Sequence, residues 1–167
     1  LHLKQIFRAL GLFVLLALFV RGLVMEPGRV NGPSMEPTFF DSQFFAVNKF
    51  ILLLRAPRRG DIVQTKDPTT KKLIIKRIVG LPGERLAVHD GRVWLRADDG
   101  TEASLIEPYL EEDEWTLPVT GSSTVYVKIS EQSYFLMGDN RDHSGDSRGY
   151  GAVHRSEIYG LVMKPDF

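Results

Sequence analysis

A serine and a lysine in this chain could together carry out nucleophilic chemistry. Ser34 lies between Pro33 and Pro37, and prolines on both sides predict a rigid, irregular loop that holds a hydroxyl in one place. A hydroxyl attacks a carbonyl only when a neighbouring base takes its proton. Serines beside prolines are also common in turns, so Ser34 alone does not identify a site.

Lys76 is the candidate base. It lies in an apolar, β-branched run over residues 73–79 and alternates with Ile74 and Ile78 on one face of the predicted strand. Burial against apolar groups lowers the pKa of a lysine from about 10.4, because the charged form loses hydration. A neutral lysine can take a proton from a serine, whereas an arginine cannot. The alternative is a lysine that protects an edge strand from aggregation.

Residues 138–149 form the most polar stretch, and a calcium loop is the competing interpretation. An EF-hand loop that began at Asp142 would need glycine at its sixth position and glutamate at its twelfth. Ser147 and Val153 occupy those positions. The stretch is therefore interpreted as a cluster of ion pairs and hydrogen bonds that braces a site, and no metal or cofactor is predicted.

Length and charge limit the class of protein. The 167 residues suffice for one domain with a core. The 21 basic and 21 acidic side chains give a net charge of zero, which argues against nucleic acid as a partner. The chain has no cysteine, so disulfides and thiolate chemistry are excluded.

The N-terminal residues 1–26 are predicted to form a transmembrane anchor. Residues 6–25 are mostly apolar, although the uncharged run 9–20 is shorter than the roughly 20 residues that a spanning helix needs. Flanking arginines could reach the lipid headgroups. A cleaved signal peptide is disfavoured because residues 21–27 contain no small-x-small cleavage site. A helix that lies in the membrane interface is the other alternative.

Residues 27–167 are predicted to form a mainly β domain, an antiparallel sheet with long loops. Short β-branched and aromatic runs alternate with glycine, proline and aspartate. Asp90-Gly91 between two such runs predicts a type I′ hairpin, and the acidic segment 97–123 is predicted to be a solvated loop or small insertion. The predicted strands cover residues 43–48, 61–65, 73–79, 85–89, 92–95, 124–129, 134–137 and 158–163.

Three motifs resemble one family closely, the bacterial type I signal peptidases. They are Ser-Met-x-Pro-Thr, Lys-Arg-Ile-x-Gly-x-Pro-Gly-Glu and Gly-Asp-Asn-Arg-Asp-x-Ser-x-Asp-Ser-Arg, and they occur in the family's order. Residues 59–63 resemble a further family motif, and the resemblance covers nearly the whole chain. It implies a serine endopeptidase that removes signal peptides from secretory precursors at the membrane surface through an acyl-enzyme. Its partners would be those precursors and membrane lipid. It would be a single-pass protein of the cell membrane, with the catalytic domain on the extracytoplasmic side.

The resemblance also implies a role for each matching residue. Ser34 matches the nucleophile, Lys76 the general base of the Ser/Lys dyad, and Ser144 the hydroxyl that orients the lysine. The remaining matches are an ion pair near the site (Asp146 and Arg148), the basic residue after the base (Arg77) and two residues of the substrate pockets (Met35 and Ile75).

One position departs from the family's pattern. The oxyanion hole of the family uses the backbone N–H of the nucleophile, often helped by a hydroxyl two residues earlier. Gly32 occupies that earlier position here and has no side chain. A backbone group or water must therefore replace the second donor, or the hole has one donor.

Three other classes of protein are alternatives to a signal peptidase. Self-cleaving repressor-type peptidases also combine a serine before methionine with a strand lysine, but they are soluble and linked to DNA. A Ser/His/Asp hydrolase would use His89, His143 or His154, none of which has a triad-like context. A non-catalytic, membrane-anchored β domain is the third.

Overall fold

The computed structural model describes residues 2–111, 114–118 and 125–164. Helix α1 (His2–Val24) runs directly into the first strand. The strands of the larger sheet are β1 (Met25–Arg29), β2 (Phe44–Asn48), β3 (Ile62–Lys66), β4 (Leu73–Gly80), β9 (Ser133–Met137), β10 (Val153–His154) and β11 (Ile158–Met163). Those of the smaller sheet are β5 (Arg85–His89), β6 (Arg92–Arg96), β7 (Glu102–Ser104) and β8 (Val127–Lys128). Two one-turn helices, α2 (Ile51–Leu54) and α3 (Ser147–Tyr150), and the 3-10 turn Arg155–Glu157 complete the described elements.

Every strand pairing in both sheets is antiparallel. The larger sheet has the order β1-β2-β11-β3-β4-β9-β10, and the smaller has the order β7-β6-β5-β8. The predicted mainly β, antiparallel fold class is therefore confirmed. The hairpin prediction is also confirmed: His89 pairs with Arg92, and the two turn residues have φ of 50° and 71°, as a type I′ turn requires.

Eight strands lie where the sequence predicts them, within a few residues at the ends. The first residue of the predicted strand 124–129 lies outside the described residues, and of the described residues 125–129 only β8 (Val127–Lys128) is a strand. Three strands were not predicted, β1, β7 and β10. Strand β1 contains Pro27 and Gly28, which interrupt a strand pattern; it tolerates them because it lies at the edge of the sheet.

Helix α1 covers most of the predicted transmembrane anchor, residues 1–26. Across the described residues, no helix combines the length and apolar character that crossing a membrane requires.

Strand β4 is interior to the larger sheet, between β3 and β9, and both of its faces are covered. Val63 and Ile78 belong to one buried apolar cluster, Val79 belongs to a second, and Ile75 belongs to a third. Such coverage explains why six consecutive residues of the strand, 75–80, are buried. A lysine in this run must therefore be buried whichever face it occupies.

The acidic segment 97–123 is only partly the solvated loop that was predicted. Residues 112–113 and 119–124 lie outside the described residues. Of the described part, β7 pairs with β6, Thr116 is buried, and Glu107 forms an ion pair with the buried Arg141. The segment is thus held against the 138–149 stretch by specific contacts.

Candidate active site

Ser34 lies in a compact loop that follows β1. Backbone hydrogen bonds from Glu36 N to the Pro33 carbonyl (3.0 Å) and from Phe39 N to the Met35 carbonyl (2.8 Å) close the loop. The side chains of Met35 and Phe39 are buried in the apolar cluster below it. Buried residues on its C-terminal side therefore fix the loop and leave Ser34 partly exposed.

Lys76 lies within hydrogen-bonding distance of Ser34. Its Nζ is 2.7 Å from Ser34 Oγ, although 42 positions separate the two residues. Lys76 is only 3% exposed. Burial lowers its pKa from 10.5 to about 8, while the negative charge of Asp146 acts in the opposite direction. The interior position of β4 excludes the edge-strand role for this lysine.

Ser144 is the second hydroxyl at the amine. Lys76 Nζ donates to Ser144 Oγ at 3.0 Å. The two serine loops approach each other across Gly138: a Cβ at Gly138 would lie 2.3 Å from the Ser34 carbonyl oxygen and 2.2 Å from Ser144 Oγ. Only glycine leaves room for both serines beside the lysine.

Asp146 and Arg148 form a buried ion pair next to Ser144. Arg148 Nε and one terminal nitrogen each lie 2.8 Å from an Asp146 oxygen, and the Gly138 N–H also donates to Asp146 (3.1 Å). Burial alone would raise the pKa of Asp146, but the hydrogen bonds and charge of Arg148 outweigh it and hold that pKa below its ordinary value. The carboxylate therefore stays charged and braces the loop that carries Ser144.

Arg77, the basic residue after Lys76, also forms a buried ion pair. Its partner is Asp139, which is 1% exposed, with N···O distances of 2.8 and 2.5 Å. The same guanidinium donates to Thr38 Oγ1 (3.2 Å) and to the Gly60 carbonyl (2.8 Å). Arg77 thus joins the loop after Ser34 to the loop after β9. Sequence reasoning missed Asp139, although its place beside Gly138 in the polar stretch was a usable signal.

Arg141 is a second residue that sequence reasoning missed. Its side chain is completely buried and donates to both oxygens of Glu107 (3.0 and 2.6 Å), to Thr116 Oγ1 (2.6 Å) and to the Gly138 carbonyl (3.0 Å). Arg141 therefore ties the acidic segment to the glycine between the two serines. No spacing rule links Glu107 to Arg141, since 34 positions separate them.

A cavity of about 240 Å³ opens beside Ser34. Strand β1 and the start of β4 border it, and Phe45, Gln64 and Ile75 line it. Of the two residues expected at the substrate pockets, Ile75 lines this cavity, whereas Met35 is fully buried in the apolar cluster and is not among the described residues of the lining.

Gly32 gives no free backbone donor to the site. Its N–H donates to Asp41 Oδ1 at 2.7 Å, so this group is already engaged and does not replace the missing hydroxyl.

The three histidines that are candidates for a Ser/His/Asp triad make other contacts. His143 and His154 are exposed, and their rings contact Asn140 and Ser156 respectively. His89 is stacked on Trp94. Among the described residues the hydrogen-bond partner of Ser34 Oγ is Lys76, so the geometry does not favour a Ser/His/Asp hydrolase.

Comparisons with known proteins identify the class. The family model described as signal peptidase, peptidase S26, matches residues 3–165. Signal peptidase I T of Bacillus subtilis is 36% identical over 154 residues, which cover 92% of this chain and 79% of that protein. Signal peptidase I P of Bacillus subtilis subsp. natto is 34% identical over 155 residues, 92% of this chain and 83% of that protein.

A solved structure agrees with the sequence comparisons. The crystal structure of a signal peptidase I from Enterococcus faecalis matches with a TM-score of 0.53 and 28% identity, over 65% of this chain and 98% of that one. The chain therefore belongs to the signal peptidase family, peptidase S26, and it is a hydrolase of the signal peptidase I type.

Proposed function

We propose that this enzyme removes signal peptides from secretory precursors by acyl transfer, with Ser34 as nucleophile and Lys76 as general base. The observation that carries the proposal is the 2.7 Å contact between Lys76 Nζ and Ser34 Oγ, made by an amine whose pKa burial lowers to about 8. Near neutral pH a useful fraction of this amine is uncharged. It can then accept the serine proton as the hydroxyl attacks.

The reaction proceeds in two stages. The Ser34 oxygen bonds to the carbonyl carbon of the scissile peptide while the proton passes to Lys76, and the lysine then gives that proton to the departing amine. Next, Lys76 takes a proton from a water molecule whose oxygen bonds to the acyl carbon; the bond from that carbon to Ser34 Oγ then breaks, and Lys76 returns the proton to Ser34. The backbone N–H of Ser34 is the proposed donor to the oxyanion.

The polar stretch positions the base in this proposal. Ser144 Oγ accepts a second hydrogen bond from Lys76 and restricts the direction of the amine. The Asp146–Arg148 pair holds the loop of Ser144, and the Arg77–Asp139 pair holds the loop after Ser34.

We propose that the enzyme prefers small residues just before the cut and two residues upstream, and the small cavity beside Ser34 supports this preference. In an extended peptide, side chains two residues apart point the same way, so the residue before the cut and the one two positions upstream both face the cavity. A volume of about 240 Å³ lined by Phe45 and Ile75 admits small side chains.

Contact with lipid is proposed through α1. Large apolar side chains are exposed along its described part, for example Phe7, Leu12 and Phe19, each more than 60% exposed. Apolar surface of this extent marks a site of interaction with a membrane or another protein. We propose that α1 holds the enzyme at the extracytoplasmic membrane surface, where secretory precursors emerge.

The direct test is cleavage of a secretory precursor by the full chain in lipid vesicles. We expect the wild-type protein to release one mature protein whose N-terminus follows a small residue, as measured by mass spectrometry. Ser34→Ala should lower turnover at least a thousandfold, since removing the nucleophile of such a site removes most of its catalysis. Ser156→Ala is the matched control, because Ser156 is exposed and far along the chain from the site. Equal activity of Ser34→Ala and wild type would refute the proposal.

Ser144→Ala should slow the same reaction by about tenfold to a few hundredfold without unfolding the protein. The variant loses one hydrogen bond to the lysine, worth about 1–3 kcal/mol when the partner carries charge. Steady-state kinetics alongside a thermal unfolding curve test this. Wild-type turnover from a folded Ser144→Ala would remove Ser144 from the proposed site.

A further inference from the structure

Gln64 has a largely buried side chain whose amide has no hydrogen-bond partner among the described residues. It lies in β3, opposite Ile75 of β4, and it is 6% exposed. Its side chain makes no hydrogen bond to another residue in the described parts of the chain, although a carboxamide offers two N–H donors and an accepting oxygen. The amide atoms are not among the fully buried, unpartnered atoms of the described residues, so solvent in the cavity, or a group that displaces it, hydrogen-bonds them.

The cavity beside Ser34 is where such a partner would be. Gln64 lines it together with Ile75, which faces the same side of the sheet as its cross-strand neighbour. The other polar residues of the lining are less buried or already engaged: Glu26 pairs with Lys49, and Arg29 donates to the Ser42 carbonyl. Gln64 is therefore the most buried polar residue of a cavity that has both polar and apolar residues in its lining.

Strands β1 and β2 supply one wall of the cavity. Gly28 pairs with Phe45, and the Phe45 ring lies 2.4 Å from where a Cβ of Gly28 would be. The ring thus fills the space that a side chain on β1 would take, and it forms an apolar wall. A small substrate side chain that enters this cavity meets Phe45, Ile75 and Gln64, which line it together.

We infer that Gln64 is a specificity-determining residue, whose carboxamide hydrogen-bonds a hydroxyl-bearing side chain of the precursor on the acyl side of the cut. The inference rests on the proposed peptidase function. A serine or threonine hydroxyl satisfies the amide, whereas an alanine or valine of the same shape leaves it unpaired and removes it from water. Leaving the Gln64 amide unpaired costs free energy. Precursors with a hydroxyl-bearing residue at this position should therefore be cleaved with a kcat/KM about tenfold higher than those without one.

Matched precursors test the assignment. One pair carries serine or alanine just before the cut, and the other carries threonine or valine two residues upstream of that position. For the wild-type enzyme, kcat/KM should favour the hydroxyl member by about tenfold in at least one pair. Gln64→Leu should abolish or reverse that ratio, because its pocket prefers the apolar member. Gln64→Met repeats the test with an unbranched chain in case leucine disturbs packing.

Gln132→Leu is the matched control, since Gln132 is exposed and bonds to His154 outside the cavity; it should keep the wild-type ratios. The inference is overturned if the wild-type enzyme shows no hydroxyl preference in either pair, or if both Gln64 variants keep the wild-type ratios. The proposed peptidase function is tested separately: it requires that the wild-type enzyme cuts these precursors and that Ser34→Ala does not.

Discussion

Lys76→Arg should leave a folded protein that cleaves precursors no faster than Ser34→Ala does. Arginine keeps the positive charge and nearly the length of lysine, but it does not lose its proton near neutral pH. A structural lysine would tolerate this change with modest losses, whereas a base would not. Lys72→Arg makes the same substitution at an exposed lysine four positions earlier and should retain wild-type turnover. Retention of more than about a tenth of wild-type activity by Lys76→Arg, a loss below about 1.4 kcal/mol, would contradict the Ser/Lys mechanism.

The pH dependence of the wild-type rate is an independent test of Lys76 as the general base. Only the uncharged amine can act, so kcat/KM should rise about tenfold per pH unit below its pKa and level off above about 8. The lowered pKa also affects stability: between about 8 and 10.5 the unfolded chain binds the proton that the folded chain has lost, so stability rises with pH in that window. Lys76→Met should remove both effects and fold at least as well, since an apolar chain replaces a buried amine.

Arg141→Met should lower the free energy of unfolding by about 3–5 kcal/mol. The side chain is completely buried, and its removal leaves the Glu107 carboxylate, itself 7% exposed, without its cation. Urea unfolding followed by tryptophan fluorescence measures the loss. Arg96→Met is the matched control: the Arg96–Glu102 pair is far more exposed and should cost less than about 1 kcal/mol.

A double-mutant cycle distinguishes a buried ion pair from simple packing. Glu107→Leu alone should also destabilise, since it leaves a buried guanidinium unpaired. The double variant Arg141→Met with Glu107→Leu leaves neither charge and should be more stable than either single variant. If the two losses simply add, the Arg141–Glu107 contact does not carry the stability assigned to it.

Local patterns predicted most of the fold. Strands such as β4 and β5, with dense β-branched content, and the Asp90-Gly91 turn follow from short-range rules. Strand β1 does not, because Pro27 and Gly28 weaken the local signal and pairing with β2 overrides it. The transmembrane anchor stays a prediction, because no helix among the described residues is long and apolar enough to cross a membrane.

The candidate site was also predicted only in part. The residue types and order of the motifs selected Ser34, Lys76 and Ser144, and the structure brings these three side chains together. The partners of Arg77 and Arg141 could not be predicted, because they depend on which loops meet in three dimensions. Gln64 was also missed: a glutamine in a strand pattern looks like an exposed position until the neighbouring strands are known to cover it.

No linker separates α1, which ends at Val24, from β1, which begins at Met25. The ladder to β2 fixes β1 along its length, so the end of the helix cannot swing away from the sheet without breaking that ladder. Ser34 follows Val24 by ten residues, and a chain of that length extends at most about 34 Å. Whatever surface takes up the helix, a peptide bond can reach Ser34 only within that radius of the helix end. The length of chain between Val24 and Ser34 therefore limits how far from the end of the helix a substrate can be cut.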